Sequence, residues 1–211
     1  MTPTIAQLIQ AIAQADSAEG LIYAVRTLAA TEAEAAIPSL VEVLSFNNPG
    51  AAVAAVDGLI KIGLPSVSYL LENIDGYNYG ARAWATRVLS GVGDVRALDL
   101  LIDAAMRDFS LSVRRSAARG LGYLNWETVD KEHQDELQTQ VLEALLMVSH
   151  DDEWVVRYSA IAGLEGLAPS LSAQLGSHLV RIQERLTEMV LTDEEIAIKA
   201  RSQLALKSNH G

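Results

Sequence analysis

Seven arginines fall between positions 82 and 119: Arg82, Arg87, Arg96, Arg107, Arg114, Arg115 and Arg119. The same stretch holds only four acidic residues, Asp94, Asp99, Asp103 and Asp108. A planar guanidinium matches the two oxygens of a carboxylate, so this cluster suits a small anionic ligand. Aromatic residues open the same region as Tyr77-Asn78-Tyr79, followed by Trp84. Two tyrosines flanking a turn asparagine are hard to account for as core. Tyr123 and Trp126, then Trp154 and Tyr158, recur further on. Other chemistry finds little support. His133, His150, His178 and His210 have no partner four residues away, and no H-E-x-x-H, G-x-S-x-G, P-loop or dinucleotide fingerprint occurs. There is no cysteine, which excludes disulfides, thiolate catalysis and thiolate metal ligation. The helical carboxylate pairs Asp99/Asp103 and Glu194/Glu195 read as solvated faces.

The elements that position these residues are set by a repeat. Six times an Ala stands four residues before a Leu: Ala24/Leu28, Ala55/Leu59, Ala85/Leu89, Ala117/Leu121, Ala160/Leu164 and Ala200/Leu204. Successive Ala positions differ by 31, 30, 32, 43 and 40 residues. Periods in this range belong to stacked helical pairs. Four residues before each Ala stands Gly20, Ala51, Ala81, Val113, Val156 or Ile196, completing a buried stripe on one helix face. Seven residues before it stands Ser17, Asn48, Asn78, Ser110, Glu153 or Asp193, and all but Glu153 are helix-capping types. Apolar segments at 36–45, 64–73, 95–106, 136–148 and 175–190 supply the second helix of each pair. Thr4 with Gln7 is a capping-box signature for a first helix. No run alternates with period two, so the expected fold is an all-α solenoid of eleven or twelve helices. Residues 1–15 form its N-terminal helix, 16–206 its five to six repeats and 207–211 a tail.

Helical spacing sorts the arginines. Positions two residues before and after the core Ala point away from the core. Position −3 lies at the boundary, about 60° from the Ala. Arg82, Arg114 and Arg157 therefore form a boundary column, expected to pair with acidic turn residues of neighbouring repeats. Arg82 also remains a candidate ligand contact. Arg87, Arg115 and Arg119 point outward, as do Arg26, Asp57 and Tyr158.

With 211 residues, half of them hydrophobic and only 5 % aromatic, the chain has material for a Leu/Ala/Val/Ile core. The net charge of −11 argues against a partner that is a nucleic acid or an anionic membrane surface. No run of 18 apolar residues and no signal peptide is apparent, which suggests a cytoplasmic protein.

The V-R-x-x-A-x-x-x-L helices resemble the short HEAT-like repeats of phycobiliprotein lyases. Three stretches are more specific: 75–85 (DGYNYGARAWA), 93–98 (GDVRAL) and 112–122 (SVRRSAARGLG). They resemble the F-type subunits of E/F phycocyanobilin lyases, and the likeness covers roughly residues 15–206. The resemblance implies one subunit of a heterodimer with an E-type partner, in a cyanobacterium or similar cell. Such a lyase attaches phycocyanobilin, a linear tetrapyrrole, to a cysteine of the phycocyanin α subunit through a thioether. Phycocyanobilin is then the substrate, and no cofactor or metal is called for. The two bilin propionates suit Arg82, Arg87, Arg115 and Arg119. Its conjugated rings suit Tyr77, Asn78, Tyr79, Trp84 and Tyr158. Asp57 is the candidate to favour the protonated, more electrophilic bilin. An isomerising relative carries a His-Cys pair where this chain has Asn78-Tyr79, so attachment without isomerisation is expected. Detachment of bilin uses the same site and is not separated by sequence. The alternative reading is a non-catalytic repeat adaptor or chaperone for phycobiliprotein assembly. An isolated preparation, with open solenoid ends, is expected to be able to form a homodimer.

Overall fold

The computed structural model describes residues 2–73, 79–171 and 176–208. They form twelve α-helices and no strand. The chain divides into two compact units, residues 1–92 and 93–211.

The first unit contains α1 (Ile5–Ala13), α2 (Ala18–Ala29), α3 (Ile37–Val43), α4 (Pro49–Ile62), α5 (Leu64–Asn73) and α6 (Tyr79–Val92). Helices α2, α4 and α6 pack in succession, and α3 and α5 form a second row against them. Thr4 and Gln7 make the expected capping box, and Ser17 Oγ accepts the Gly20 N–H at 3.1 Å. Asn48 Oδ1 caps α4 through the Ala51 N–H at 3.1 Å, while its Nδ2 donates to the Ala18 carbonyl. One side chain thus starts a helix and ties it to the start of the preceding one in the row. Ala55, Leu28, Leu59 and Leu89 are wholly buried, as their stripe requires. At Gly58 an added Cβ would lie 2.5 Å from Ala29 Cβ, so α2 and α4 approach more closely than a larger residue allows.

The second unit contains α7 (Leu98–Arg107), α8 (Leu111–Leu121), α9 (Lys131–Val148), α10 (Trp154–Leu167), α11 (Gly176–Thr192) and α12 (Ile196–Ser208). Helices α8, α10 and α12 form one row, and α7, α9 and α11 the other. Val113, Ala117 and Leu121 on α8, and Val156, Ala160 and Leu164 on α10, are completely buried.

One capping expectation changes here. Ser110 stands at the N-cap position of α8 but its side chain does not cap the helix, and Glu153, not a capping type, does not cap α10. The turns are instead closed two residues earlier. Asp108 Oδ1 accepts the Ser110 N–H at 2.8 Å, and Asp151 Oδ1 the Glu153 N–H at 2.9 Å. Asp193, expected as a cap, plays the same part through the Glu195 N–H at 2.9 Å.

The sixth repeat is also shifted by two residues. Ile196, Ala200 and Leu204 are exposed, with Ile196 at 81 % and Leu204 at 57 %. Ile198 and Ser202 are wholly buried and Leu206 half-buried. Counted from the turn aspartates 151 and 193, Val156-Arg157-x-x-Ala160-x-x-x-Leu164 matches Ile198-Lys199-x-x-Ser202-x-x-x-Leu206. The Ala200/Leu204 pair mimics the spacing one face away.

Candidate functional site

The boundary arginines of the second unit are structural. Arg114 grips Asp151 through Nε at 2.8 Å and Nη2 at 3.3 Å, and donates Nη1 to the Asp108 carbonyl. Arg157 repeats this one layer on, with Asp193 at 2.8 and 2.9 Å and the carbonyls of Asp151 and Asp152. Each turn aspartate therefore caps its own turn and anchors the arginine of the preceding helix in the row. Burial pushes the Asp193 carboxyl pKa up. The Arg157 hydrogen bond, the Glu195 N–H and the nearby guanidinium charges together outweigh it and hold it below the ordinary carboxylate value. Arg157 is shifted up, chiefly by its Asp193 bond and against the effect of burial. The pairing expected from sequence is thus present for Arg114 and Arg157. Arg82 is half-buried on α6 in the first unit.

The outward arginines are different. The second unit contains nine arginines. Seven have a carboxylate partner: Arg96 with Asp94, Arg107 with Asp103, Arg114 with Asp151, Arg157 with Asp193, Arg181 with Glu143, Arg185 with Glu188 and Arg201 with Glu165. Arg115 and Arg119 have none among the described residues, and both are exposed on α8. They lie one helical turn apart, so their guanidinium groups are within reach of one anion.

The next residue on that line is Tyr123, four positions beyond Arg119 and 51 % exposed. The Arg119 guanidinium lies 6.0 Å from its ring centroid, a cation–π contact. The ring edge rests on Gly166 of α10, where a Cβ would come within 2.9 Å of Cε2 and Cζ. Behind it α8 and α10 meet backbone to backbone. A Cβ on Gly122 would fall 2.1 Å from the Gly163 carbonyl oxygen, and one on Gly163 2.4 Å from that of Ala118. Tyr158 of α10, a sequence candidate, is 40 % exposed and lies 5.8 Å under Arg201, whose charge is already paired with Glu165. Tyr123 was not among the sequence candidates, although the four-residue spacing from Arg115 through Arg119 reaches it.

In the first unit, Arg87 is exposed and stacks 5.8 Å above the half-buried Trp84. Asp57 is exposed on α4 and lines a cavity of about 190 Å³ with Arg26, Lys61 and Val53. Candidates Tyr77 and Asn78 lie outside the described residues, as does the side chain of Tyr79. Among the described residues no group of three or more His, Asp or Glu is placed to hold a metal ion. No helix there is long and apolar enough to cross a membrane.

A model of HEAT repeats matches residues 5–90 and 67–165. The chain is 60 % identical over 168 residues to phycocyanin alpha phycocyanobilin lyase CpcF of Synechocystis sp., covering 80 % of this chain and 78 % of that one. It is 46 % identical over 199 residues to phycocyanobilin lyase subunit beta of Nostoc sp., covering 94 % and 97 %. Among solved structures, the complex of CpcE and CpcF of phycocyanin lyase from Nostoc sp. contains a chain that superposes with a TM-score of 0.75 at 46 % identity. That match covers 81 % of this chain and 98 % of the other.

Proposed function

Since the chain belongs to the HEAT-repeat family of phycocyanobilin lyase beta (F-type) subunits, we propose that it is the F-type half of a heterodimeric lyase. With an E-type partner it attaches phycocyanobilin to a cysteine of the phycocyanin α subunit. The observation that carries this reading beyond kinship is the pair Arg115 and Arg119. They are exposed, one turn apart and without a carboxylate partner among the described residues, in a unit where the other seven arginines have one. An uncompensated guanidinium pair is a receptor for a carboxylate, and the bilin carries two propionates.

The reaction adds a thiol across the ethylidene double bond of the bilin. Sulfur bonds the outer carbon, the thiol proton ends on the ring carbon, and nothing leaves. The step is redox-neutral and asks for no resident cofactor. The acceptor supplies the nucleophile, which is compatible with a chain that has no cysteine. What remains for the lyase is to hold the bilin, align it with the thiol and stabilise charge. Arg115 and Arg119 bind a propionate. In the first unit, Arg82, Arg87 and Trp84, together with Tyr77, Asn78 and Tyr79, are assigned to bilin contact, as is Tyr158 in the second. Asp57, flanked by Arg26 and Lys61, is assigned to stabilising the protonated bilin, which is the better electrophile. The product keeps the phycocyanobilin skeleton, without isomerisation, and detachment proceeds through the same groups. The setting is the cytoplasm of a phycobilisome-containing cell.

Reconstitution tests this reading. The protein is mixed with an E-type subunit, phycocyanobilin and the apo α subunit, and zinc fluorescence of the denatured α chain is followed. A covalent, red-absorbing adduct that needs both lyase subunits supports the proposal. A blue-shifted product removes the claim of attachment without isomerisation. No adduct above background leaves an adaptor role.

A further inference from the structure

Tyr123 is half exposed, yet its backbone is clamped and its ring edge is seated. Its N–H donates to the Gly120 carbonyl at 3.0 Å. Its own carbonyl sits against Gly93, where a Cβ would come within 2.6 Å, and Gly93 has a φ of +70°, open to glycine with little strain. Two residues on, the Asn125 N–H donates to the Gly93 carbonyl at 2.7 Å, so the segment is clamped on both sides of the tyrosine. The ring edge is seated on Gly166, and that seat is fixed by the close α8–α10 crossing at Gly122 and Gly163. Half of the residue nevertheless faces solvent, and the charge lying over its ring belongs to Arg119.

Core packing does not call for this arrangement, because the ring is not in the core. Stability does not call for the charge above it, because an exposed cation–π contact contributes little. Pre-organisation does account for it. A free arginine samples many rotamers and must lose them on binding an anion. A guanidinium lying over a clamped ring has already lost some of that freedom while its hydrogen-bonding edge stays open. Arg115, one turn away, has no such platform among the described residues.

We infer that Tyr123 is a positioning residue for substrate binding: its ring, seated on Gly166, holds Arg119 ready for a bilin propionate. This rests on the lyase reading above. The ring is what acts, so the hydroxyl is dispensable.

Steady-state transfer kinetics by the complete heterodimer, with phycocyanobilin varied, test this. Tyr123→Ala is expected to raise KM for the bilin about three- to five-fold with kcat nearly unchanged, the scale of an exposed cation–π contact. Tyr123→Phe is expected to match the parent protein. In an Arg119→Ala background, Tyr123→Ala is expected to add nothing, because the group it positions is gone. A folded Tyr123→Ala with parental KM overturns the inference. So does an equal further loss in the Arg119→Ala background, or a Tyr123→Phe as impaired as Tyr123→Ala. If the parent heterodimer transfers no bilin at all, it is the lyase reading that fails, and this inference falls with it. If the parent transfers normally and the coupling is absent, only the role of Tyr123 is withdrawn.

Discussion

Arg114 and Arg115 are neighbours in sequence and opposites in structure. Arg114 belongs to the turn edge of the second unit, where it is 15 % exposed and makes two bonds to Asp151 and one to a carbonyl. Arg115 belongs to the outward face of α8, where with Arg119 it meets no carboxylate among the described residues. At the turn edge the boundary arginine of one layer is answered by the turn aspartate of the next, through Arg114–Asp151 and then Arg157–Asp193. On the α8 face no described carboxylate answers Arg115 or Arg119. A fold that pairs seven of nine arginines in one unit shows that carboxylates are within reach at most positions, so two adjacent exceptions point to an external anion.

The largest effect that separates the two regions is on stability at the turn edge. Asp193→Ala removes the partner of a largely enclosed Arg157 and also the acceptor for the Glu195 N–H. Breaking such a pair from one side costs about 3 kcal/mol. Urea unfolding of the variant should therefore show a clear drop in midpoint. A drop of less than about 0.5 kcal/mol would mean that the ladder of turn aspartates is solvated ornament, and the contrast with α8 would lose its basis. A smaller effect follows on acidification. Asp193 and Glu165 both have pKa values below their ordinary ones, through Arg157 and Arg201 outweighing burial. A carboxyl whose folded pKa is depressed stabilises the fold fully above its unfolded pKa, about 4, and loses that contribution as pH falls toward the folded value. The parent protein should thus lose stability progressively below about pH 4. Asp193→Asn should start lower at neutral pH and show a shallower acid slope. An unchanged slope would mean that the pair contributes nothing through ionisation.

Much of this was legible in the sequence, and the failures share a cause. The Ala/Leu column located five of six repeat helices in register, because wholly buried positions admit only small or aliphatic residues at fixed helical spacing. The boundary arginines could be assigned a structural role because they recur. The sixth repeat misled because α12 carries apolar residues on two faces, and only packing against α10 and α11 selects Ile198 and Ser202 over Ala200 and Leu204. Periodicity alone does not distinguish two apolar faces of one helix. The consequence is measurable: Leu204→Gln should change stability by no more than about 0.5 kcal/mol. A loss of several kcal/mol would restore the original register. The expected cap at Ser110 failed for a related reason, since the turn aspartate Asp108, two residues earlier, competes for the same job. Tyr123 was passed over because its significance lies in Gly166, 43 positions away. A glycine signals a close approach without naming what approaches.

The smallest expected change in stability carries the most functional information. Arg115→Ala combined with Arg119→Ala removes two exposed side chains that have no ion pair among the described residues. One weak contact, from Arg119 to the Tyr123 ring, goes with them. Ala also has at least as good a helix propensity as Arg. Unfolding free energy should stay within about 0.5 kcal/mol of the parent value. Transfer of bilin by the same preparation with its E-type partner should fall at least ten-fold. That estimate takes one charge-assisted contact to a propionate as worth about 1.5–3 kcal/mol. Loss of transfer at constant stability would separate the α8 face cleanly from the turn edge, where stability and activity must fall together. Parental transfer by the stable double variant would leave the two arginines as solvated charge, and the receptor for the propionates would have to be sought on the first unit, at Arg82 and Arg87, or on the E-type subunit.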